Sequence, residues 1–478
     1  MRLDNELYMD VPGQLTYQPH VYSLAAFLAD RSGAKWIVDI GCGSGGKLKA
    51  LIPHFDVVGI DCAAGIRLAR KILPQAQLVE FDMENGLPDI PADILKNAVV
   101  ICSDVIEHLQ RPEQLMKSLA QVSKLAPFVL ISTPDRDRAR GWLDSGPPAN
   151  PAHVMEWAPS EFVHFMRECG FSDIPFYGHT VNTDFHRVKS TLLIVAGTHA
   201  TYSFRDTNFR VAAIIHTYNE ADILHEVVGH LISQGVEVHI FDNWSNDGTW
   251  KIISELNSAG ILSHAERFPE APSSDYLWHM QLAKTAEYAA TLGAQWVMHH
   301  DADEIRNSPW EGVTLRDAFA KINHLGYNSV DFTVIDFRFL ADLPDPKPPY
   351  QQTTTHFEFG RRPGHFSQVK AWKNKSEVQL AASGGHEAVF EGRRVYPIKF
   401  LLRHYPLRNR IQARNKVFRD RLPRLRAEQQ LYGWHTQYDH FQNEAGINGW
   451  DANTLIPWHS KYFLSEFIVE RISGIGLS

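Results

Sequence analysis

The length, composition and charge of this chain are those of an ordinary globular protein. It has 478 residues, of which 44% are hydrophobic and 21% charged. At roughly 100–200 residues per domain, this predicts two or three domains and excludes a disordered chain. A formal net charge of −8 gives no reason to expect nucleic acid as a partner.

The first segment, from Met1 to His20, is polar and lacks the basic and apolar parts of a signal peptide. No apolar run reaches the roughly 18 residues that a transmembrane helix needs. The four cysteines contain no C-x-x-C pair, which is typical of reduced thiols rather than of a disulfide scaffold. These features predict a cytoplasmic protein without a transmembrane segment.

From Lys35 onward, short apolar runs alternate with amphipathic stretches. The predicted strands are Trp36–Ile40, Val57–Ile60, Leu78–Phe81, Val99–Cys102, Phe128–Ser132, Ser172–Tyr177 and Thr191–Ala196. The predicted helices are Ala64–Ile72, Pro112–Lys124 and Glu161–Glu168. This alternation predicts an α/β domain with a doubly wound parallel sheet. We expect that domain to cover residues 1–197 and the polar residues 198–208 to form a linker.

A glycine-rich loop follows the first predicted strand. Glycines there allow a tight turn and let a ligand approach the backbone closely. Gly41, Gly43 and Gly46 satisfy the dinucleotide pattern G-x-G-x-x-G, and Asp61 follows at the distance of a ribose-binding carboxylate. On this interpretation the domain is an NAD-dependent dehydrogenase.

The same loop fits a second pattern. Asp39, Gly41, Gly43 and Gly45 satisfy D-x-G-x-G-x-G, and the segment Ser103–Leu109 reads S-D-V-I-E-H-L after the fourth strand. In these motifs the sequence from about residue 17 to 196 resembles the class I S-adenosylmethionine (SAM)-dependent methyltransferases, in particular a branch with a D-V-x-E-H motif. The resemblance implies a Rossmann-like fold and SAM as the cofactor.

The resemblance also implies roles for three carboxylates. Asp39 would hold the amino acid part of SAM, Asp61 would accept both ribose hydroxyls, and Asp82 would receive the adenine amino group. His108 and His153 are the candidate catalytic bases for a hydroxyl acceptor. Two alternatives remain open: Glu107 and His108 hold a divalent metal, or each histidine fixes a loop by hydrogen bonding.

A second strand–helix alternation begins at Phe209 and predicts a second α/β domain over residues 209–420. Its predicted strands are Val211–His216, Val236–Phe241 and Trp296–His299, and its predicted helices are Ala221–Gln234, Trp250–Leu256 and Tyr276–Leu292. Each strand is followed by a polar motif: H-T-Y-N-E, then D-N-W-S-N-D-G-T, then H-D-A-D-E. Open α/β sheets bind ligands at these strand ends.

The last motif brings two carboxylates together. Asp301 and Asp303 offer the oxygen ligands that Mn²⁺ or Mg²⁺ needs, and such an ion can bridge two phosphates. With the two preceding motifs, the sequence from about residue 209 to 421 resembles the GT-A-type glycosyltransferases of the family-2-like group. The resemblance implies a nucleotide-sugar donor and metal binding by Asp301 and Asp303, with His404 as a further ligand or a diphosphate contact.

By the same resemblance, Thr217, Tyr218 and Glu220 would contact the base and ribose of the donor, and Asp242 would contact the base. An inverting transferase needs a carboxylate base near the acceptor hydroxyl. Glu387 is the first candidate for that base and Asp336 the second. A retaining mechanism stays open.

Eight basic residues lie between Arg408 and Arg426, opposed only by Asp420. They predict a solvated helix face, a diphosphate clamp or a contact with an anionic membrane surface at the inner face of the membrane. Residues 421–478, which are rich in aromatic side chains, are expected to form a helical extension.

Together, these motifs predict two doubly wound domains, a Rossmann-like methyltransferase and a GT-A-like glycosyltransferase with a helical C-terminal extension. We expect a bifunctional enzyme of glycan biosynthesis that acts on a saccharide or lipid-linked saccharide. One alternative is that only one domain is catalytic and the other is a binding or scaffolding module.

Overall fold

The computed structural model describes residues 16–204, 206–360, 367–375, 377–434 and 438–473. They form two compact units. The first ends at Ser203 and is completed by a segment that begins at Ser460, and the second runs from Phe204 to His459. Among the described residues, no helix is both long enough and apolar enough to cross a bilayer.

The first unit contains a seven-stranded sheet in the order β3-β2-β1-β4-β5-β7-β6. Its strands are β1 (Trp36–Ile40), β2 (Asp56–Asp61), β3 (Gln77–Glu80), β4 (Ala98–Ser103), β5 (Phe128–Pro134), β6 (Phe176–Thr180) and β7 (Thr191–Ala196). Its helices are α1 (Pro19–Ser32), α2 (Ala63–Ile72), α3 (Ala92–Leu95), α4 (Pro112–Val122), α5 (Arg136–Arg140) and α6 (Pro159–Glu168). The first five strands are parallel, and β7 runs antiparallel to β5 and β6.

This topology confirms the predicted doubly wound fold. β4 is buried along its whole length and β5 along all but its last residue, because helices cover both faces of such a sheet and its strands read as continuous apolar runs. The strand order reverses between β1 and β4, and ligands bind at such a switch point. The loops after these two strands are therefore the place to look for a site.

The second unit contains a ten-stranded sheet whose first half is parallel, in the order β10-β9-β8-β11. Its strands are β8 (Val211–Thr217), β9 (Val236–Asp242), β10 (His264–Arg267), β11 (Trp296–Asp301), β12 (Glu304–Asn307), β13 (Ser329–Arg338), β14 (His356–Phe359), β15 (Ser367–Lys373), β16 (Val395–Leu407) and β17 (Ile456–Pro457). The parallel half confirms the predicted α/β alternation. Beyond β11 the described strands pair antiparallel, except that β13 and β16 pair in parallel.

The helices of this unit pack on the parallel half or follow the last long strand. They are α7 (Leu224–Ser233), α8 (Thr249–Ser258), α9 (Trp278–Thr291), α10 (Leu315–His324), α11 (Tyr350–Thr353), α12 (Arg410–Arg414) and α13 (Arg426–Tyr432). A π-helical segment, Asn415–Arg421, continues α12. Such segments are rare and often occur at functional sites.

The C-terminal segment differs from the expected single extension over residues 421–478. Two short helices, α14 (Ser460–Glu466) and α15 (Ile468–Ser473), pack on β6 and complete the first unit. Lys189 Nζ lies 2.8 Å from Glu470 Oε1 and donates a hydrogen bond to the carbonyl of Glu466. Apolar residues of α15, such as Ile468, are buried against the same sheet. The local sequence does not indicate that α14 and α15 pack on the first unit, because their partner strand lies almost 300 residues earlier in the chain.

This packing predicts a sensitive position in β6. A Cβ at Gly178 would lie 2.1 Å from the carbonyl oxygen of Ser465 and 2.8 Å from Ile468 Cγ2. Gly178→Val should therefore push the C-terminal helices off the sheet and lower the free energy of unfolding of the first unit by about 1–3 kcal/mol. Thermal unfolding would measure this, with Gly229→Ala as the control because a Cβ there meets nothing within 4 Å. An unchanged midpoint for Gly178→Val would contradict the described packing.

Candidate functional sites

The glycine-rich loop leaves β1 through backbone conformations that suit glycine. Gly41, Gly43 and Gly45 all have positive φ angles, of 79°, 55° and 76°. A Cβ at Gly41 would lie 2.2 Å from Cγ2 of Val105, so the loop after β1 and the loop after β4 touch at that point. The close approach makes glycine necessary at this position.

Asp61, at the end of β2, lies against this loop as expected. Its two carboxylate oxygens accept hydrogen bonds of 2.7 Å from the N–H groups of Gly43 and Cys62. A Cβ at Gly65 would stand 2.5 Å from the same carboxylate. Asp61 therefore orders the glycine-rich loop.

Asp39 is fully buried at the end of β1, where its Oδ2 accepts a 3.0 Å hydrogen bond from the hydroxyl of Tyr22. Burial raises the pKa of Asp39 to about 7, although nearby Lys47 and the hydroxyl of Tyr22 act in the opposite direction. Asp82, by contrast, is exposed after β3 and caps a short turn by accepting the N–H of Glu84 at 3.2 Å.

The raised pKa of Asp39 predicts a pH dependence of cofactor binding. A cationic amino acid moiety would favour the carboxylate form, so binding releases a proton whenever the free site is protonated. The affinity for S-adenosylhomocysteine should rise by up to about tenfold per pH unit below pH 7 and level off above it. In Asp39→Asn the affinity should be lower and independent of pH over this range. Calorimetric titrations from acid to alkaline pH would test both, and a wild-type affinity that does not change with pH would contradict this role.

Two residues that the sequence analysis missed lie beside the loop after β4. Asp104 has a positive φ angle of 52°, an uncommon conformation for a residue other than glycine and one that often occurs at functional sites. Its carboxylate accepts hydrogen bonds from Gln18 (2.7 Å) and Ser132 (3.1 Å). Gln18 lies just before α1 and far from Asp104 in the sequence, so no local pattern indicated their contact. Asp104 belongs to the S-D-V-I-E-H-L motif, but the sequence analysis assigned it no role.

The candidate bases His108 and His153 lie close together, with ring centroids 4.8 Å apart. His108 Nδ1 donates to the carbonyl of Ala152 at 2.9 Å, and His153 Nδ1 lies 2.7 Å from Glu156 Oε1. Burial lowers the pKa of His108 and so favours the neutral form of its ring. The structure thus brings both histidines to one place, held by loop hydrogen bonds.

In the second unit, residues of the loops after β8 and β11 line a cleft of about 420 Å³. Six predicted site residues line it: Tyr218, Glu220, Asp301, Asp303, Asp336 and His404. Thr217 and Asp242 are buried neighbours at the ends of β8 and β9, directly before the loops that follow these two strands. Burial raises the pKa of Asp242, whose carboxylate accepts the N–H of Ser245 at 3.2 Å.

Hydrogen bonds join the loop after β8 to the loop after β9. The N–H of Asn219 donates to Ser245 Oγ at 3.0 Å, and the N–H of Glu220 donates to Thr249 Oγ1 at 2.9 Å. Arg424, from the segment before α13, lies over the ring of Tyr218 at 4.1 Å and donates to Asn243 Oδ1. The two predicted nucleoside-binding loops therefore form one surface, which a basic side chain covers.

Asp301 and Asp303, the two aspartates of the H-D-A-D-E motif, each have a buried lysine as a partner. Lys370 Nζ lies 2.6 Å from Asp301 Oδ2, and Lys416 Nζ lies 2.7 Å from both Asp303 Oδ2 and Glu220 Oε1. Burial acts to raise the pKa of both aspartates, but the two lysines lower it well below the ordinary value. Lys370 is a residue that the sequence analysis missed, although a lysine within the apolar strand β15 is an unusual feature that signals it.

His404 stands on β16 beside Asp303, with Nε2 3.6 Å from Asp303 Oδ1. Its Nδ1 lies 2.7 Å from Asp336 Oδ1, and the other oxygen of Asp336 accepts from Arg338. Burial acts to lower the pKa of His404, but Asp303 and Asp336 raise it to about 10. Asp336 thus faces the cleft and orients His404.

Glu387, the first candidate base, lies elsewhere. Its carboxylate is 45% exposed, lies 2.6 Å from Arg393 and is not among the groups that line the cleft. The structure therefore favours Asp336 over Glu387. The physical reason is a turn at the positive-φ residues Gly384 and Gly385, after which His386 faces the cleft and Glu387 pairs with Arg393.

The basic stretch after β16 is largely folded into the unit. Arg408 is fully buried and paired with Glu220 and Asp222, and Lys416 and Arg424 are also buried. A uniformly solvated helix face is therefore the wrong interpretation of this stretch. The π-helical segment and the residues beside it supply cations to the cleft.

Comparisons with known proteins agree with the two folds. A family model described as a methyltransferase domain matches residues 19–175, and one described as glycosyl transferase family 2 matches residues 212–269. A probable S-adenosylmethionine-dependent methyltransferase of Mycobacterium tuberculosis is 27% identical over 180 residues, which cover 37% of this chain and 60% of that protein. The chain thus spans about 60% of that relative's length.

Two further similarities concern methyltransferases. The ubiquinone biosynthesis O-methyltransferase of Azoarcus sp. is 25% identical over 160 residues, covering 31% of this chain and 69% of that protein. A solved S-adenosylmethionine-dependent methyltransferase from Mesorhizobium loti is 19% identical, with a TM-score of 0.29 and coverage of 36% of this chain and 95% of that chain.

The folds and the family matches together define a transferase. More particularly, the chain joins a SAM-dependent methyltransferase domain to a family 2 glycosyltransferase domain. The glycine-rich loop therefore belongs to a methyltransferase and not to an NAD-dependent dehydrogenase.

Proposed function

We propose that this chain is a bifunctional enzyme of glycan biosynthesis, which transfers a methyl group from SAM and a sugar from a nucleotide-sugar donor to a saccharide acceptor. The observation that carries the proposal is the position of the acidic groups. Asp39 and Asp61 lie at the glycine-rich loop of the first unit, and Asp301 and Asp303 line a cleft in the second.

In the first unit the chain has to bind SAM and to align an acceptor oxygen or nitrogen with its methyl group. Because the sulfonium of SAM already activates the methyl group, and its S–CH₃ bond breaks to release the neutral thioether S-adenosylhomocysteine, the protein has mainly to position the acceptor. Asp61 would accept the ribose hydroxyls, Asp39 would hold the amino acid part, and Asp82 would accept the adenine amino group. His108 and His153 are the candidate groups for taking a proton from a hydroxyl acceptor.

In the second unit, Asp301, Asp303 and His404 would hold Mn²⁺ or Mg²⁺, in a GT-A-type arrangement. The fit rests on His404, whose Nδ1 is hydrogen-bonded to Asp336 while its Nε2 faces Asp303 at 3.6 Å; because the pKa of His404 is raised, an ion would have to displace the proton on Nε2. Metal-binding histidines usually donate their second nitrogen to a carboxylate in this way. When bound, the ion would neutralise charge on the departing diphosphate.

The remaining chemistry belongs to side chains of this chain. Lys416 and Arg421 line the same cleft and would contact the diphosphate. Arg424 and Tyr218 together would enclose the nucleoside. Asp336, which faces the cleft, is the candidate base for an inverting transfer.

The acceptor is proposed from the aromatic side chains of the cleft. Trp278, Trp434, Trp450 and Tyr438 line it, and such rings offer apolar faces with polar edges that suit a saccharide. A lipid-linked saccharide at the inner face of the membrane would fit a cytoplasmic enzyme. Within the basic stretch, Arg419 and Arg426 remain exposed for contact with an anionic surface.

The direct test is incubation of the full chain with SAM, Mn²⁺, a panel of nucleotide sugars and saccharide acceptors, followed by mass spectrometry of the products. We expect acceptor masses that increase by a methyl group and by a sugar. If only one of the two increments forms, the alternative in which one domain is a binding module would hold. Absence of both donor binding and donor hydrolysis would contradict the proposal entirely.

A further inference from the structure

Three side chains of the methyltransferase unit converge at a place that the SAM contacts do not use. Glu107 and His108 lie in the short turn Ile106–His108 after β4, and His153 lies in the loop before α6. One potential metal-ligand atom from each residue lies within 4.8 Å of the other two. Two loops that are far apart in sequence thus bring one carboxylate and two imidazoles together.

The carboxylate of Glu107 is fully buried and only partly satisfied. Its Oε2 accepts a 3.0 Å hydrogen bond from Thr133 Oγ1, whereas Oε1 has no hydrogen-bond partner within the described part of the chain. A buried oxygen without a partner is expensive and uncommon in proteins, and a bound ion is one of its ordinary explanations.

The hydrogen bonds of both histidines put the lone pair on the same ring nitrogen. A carbonyl and a carboxylate can only accept, so Nδ1 of His108 and Nδ1 of His153 each carry the proton. When such a ring is neutral, its lone pair lies on Nε2, which is then the nitrogen that can ligate an ion. Metal-binding histidines typically show this arrangement, in which the second nitrogen is anchored by a carbonyl or carboxylate. Asn150 Nδ2 lies 2.9 Å from Nε2 of His153, so an ion would take the place of that amide.

We propose that Glu107, His108 and His153 bind one divalent transition-metal ion between the loop after β4 and the loop before α6, in which case the two histidines hold the ion instead of acting as bases. Two imidazoles and one carboxylate suit Zn²⁺, Fe²⁺ or Co²⁺ better than Mg²⁺, which prefers oxygen ligands. Three protein ligands leave a coordination position open, as catalytic metal sites do.

The position of the turn connects this site with methyl transfer. Val105, two residues before Glu107, touches the glycine-rich loop at Gly41, and both loops leave the sheet at its switch point. The open position would therefore accept an oxygen of the methyl acceptor, such as a sugar hydroxyl. This last step rests on the proposed function, whereas binding of the ion does not.

The experiment uses the full chain carrying Asp301→Asn and Asp303→Asn, which removes the carboxylates of the other proposed metal site. After treatment with a chelator, Co²⁺ is titrated and followed by visible absorption and calorimetry. We expect one equivalent to bind, with the spectrum of a nitrogen-ligated ion, and excess Mg²⁺ not to displace it. Adding His153→Ala or Glu107→Gln should abolish this binding, whereas adding His164→Ala, an exposed histidine of the same unit, should leave it intact.

Binding of S-adenosylhomocysteine serves as the folding control for every variant. If Glu107→Gln does not bind S-adenosylhomocysteine, Co²⁺ binding by the His153→Ala variant still tests the proposal, because His153 is less deeply buried than Glu107. No Co²⁺ binding in the Asp301→Asn/Asp303→Asn chain would overturn the proposal, and Glu107 would then be a protonated acid that fixes its loop. Co²⁺ binding that survives in both His153→Ala and Glu107→Gln would overturn it as well. Neither result depends on whether sugar or methyl transfer is detected.

Discussion

Replacing Asp303 by asparagine is expected to lower kcat/KM for sugar transfer by about 10³-fold. A metal-held leaving group contributes several kcal/mol to the transition state, and each ~1.4 kcal/mol is a factor of about ten in rate. The substitution removes the charge that faces His404 and Lys416, so it would weaken the proposed metal site and leave a buried lysine with one carboxylate fewer. Donor turnover in the presence of Mn²⁺ would measure the loss.

The matched control for this variant is Asp331→Asn. Asp331 lies on the same strand as Asp336 and pairs with the buried Lys399 at 3.2 Å, but it does not line the cleft. It should change turnover by less than about threefold, because a charge away from the reacting groups makes no contact that differs in the transition state. Equal losses in Asp303→Asn and Asp331→Asn would indicate a general effect on folding and would contradict the role given to Asp303.

Asp61→Ala is expected to weaken binding of SAM by about 100-fold or more. Hydrogen bonds to a charged group contribute about 1.5–3 kcal/mol each, and the ribose offers two hydroxyls. The change also removes the acceptor of the Gly43 N–H, which holds the glycine-rich loop in its binding conformation. Calorimetry with S-adenosylhomocysteine gives the affinity directly.

Asp56 provides the control, because it lies at the opposite end of the same strand and is exposed. Asp56→Ala should bind S-adenosylhomocysteine as the wild type does. If Asp61→Ala also retained wild-type affinity, the pocket beside the glycine-rich loop would not be the cofactor site.

The strands of both parallel sheets could be predicted closely from the sequence. Trp36–Ile40 and Thr191–Ala196 are observed with the predicted bounds, and Phe128–Pro134 is only two residues longer at its end. These strands are buried on both faces, so an apolar run marks each of them directly. The antiparallel strands β13 to β16 have no such simple signal, since their pairing joins segments that are distant along the chain.

Some residues of the candidate sites could likewise be located from the sequence, and others could not. Residues that follow a buried strand, such as Asp61 and Asp301, could be located because strand ends meet at one edge of a sheet. Lys370 was missed because its role comes from pairing between β15 and β11, which no local pattern records. Glu387 was chosen from a string of residues whose turn directs the neighbouring His386 into the cleft instead.

The two domains share one chain, and the C-terminal helices α14 and α15 return to the first unit. The glycosyltransferase domain is thus inserted between two parts of the methyltransferase unit. If both domains act on one acceptor, the connection raises the effective concentration of the second activity for the product of the first.

Binding of two ligands to three proteins tests the central claim most directly. The wild type, Asp61→Ala and Asp303→Asn would each be titrated with S-adenosylhomocysteine and, in the presence of Mn²⁺, with a panel of nucleoside diphosphates. We predict that the wild type binds both kinds of ligand, that Asp61→Ala loses only S-adenosylhomocysteine, and that Asp303→Asn loses only the nucleotide. A variant that loses both ligands while remaining folded, or a wild type that binds only one, would contradict two independent transfer sites in this chain.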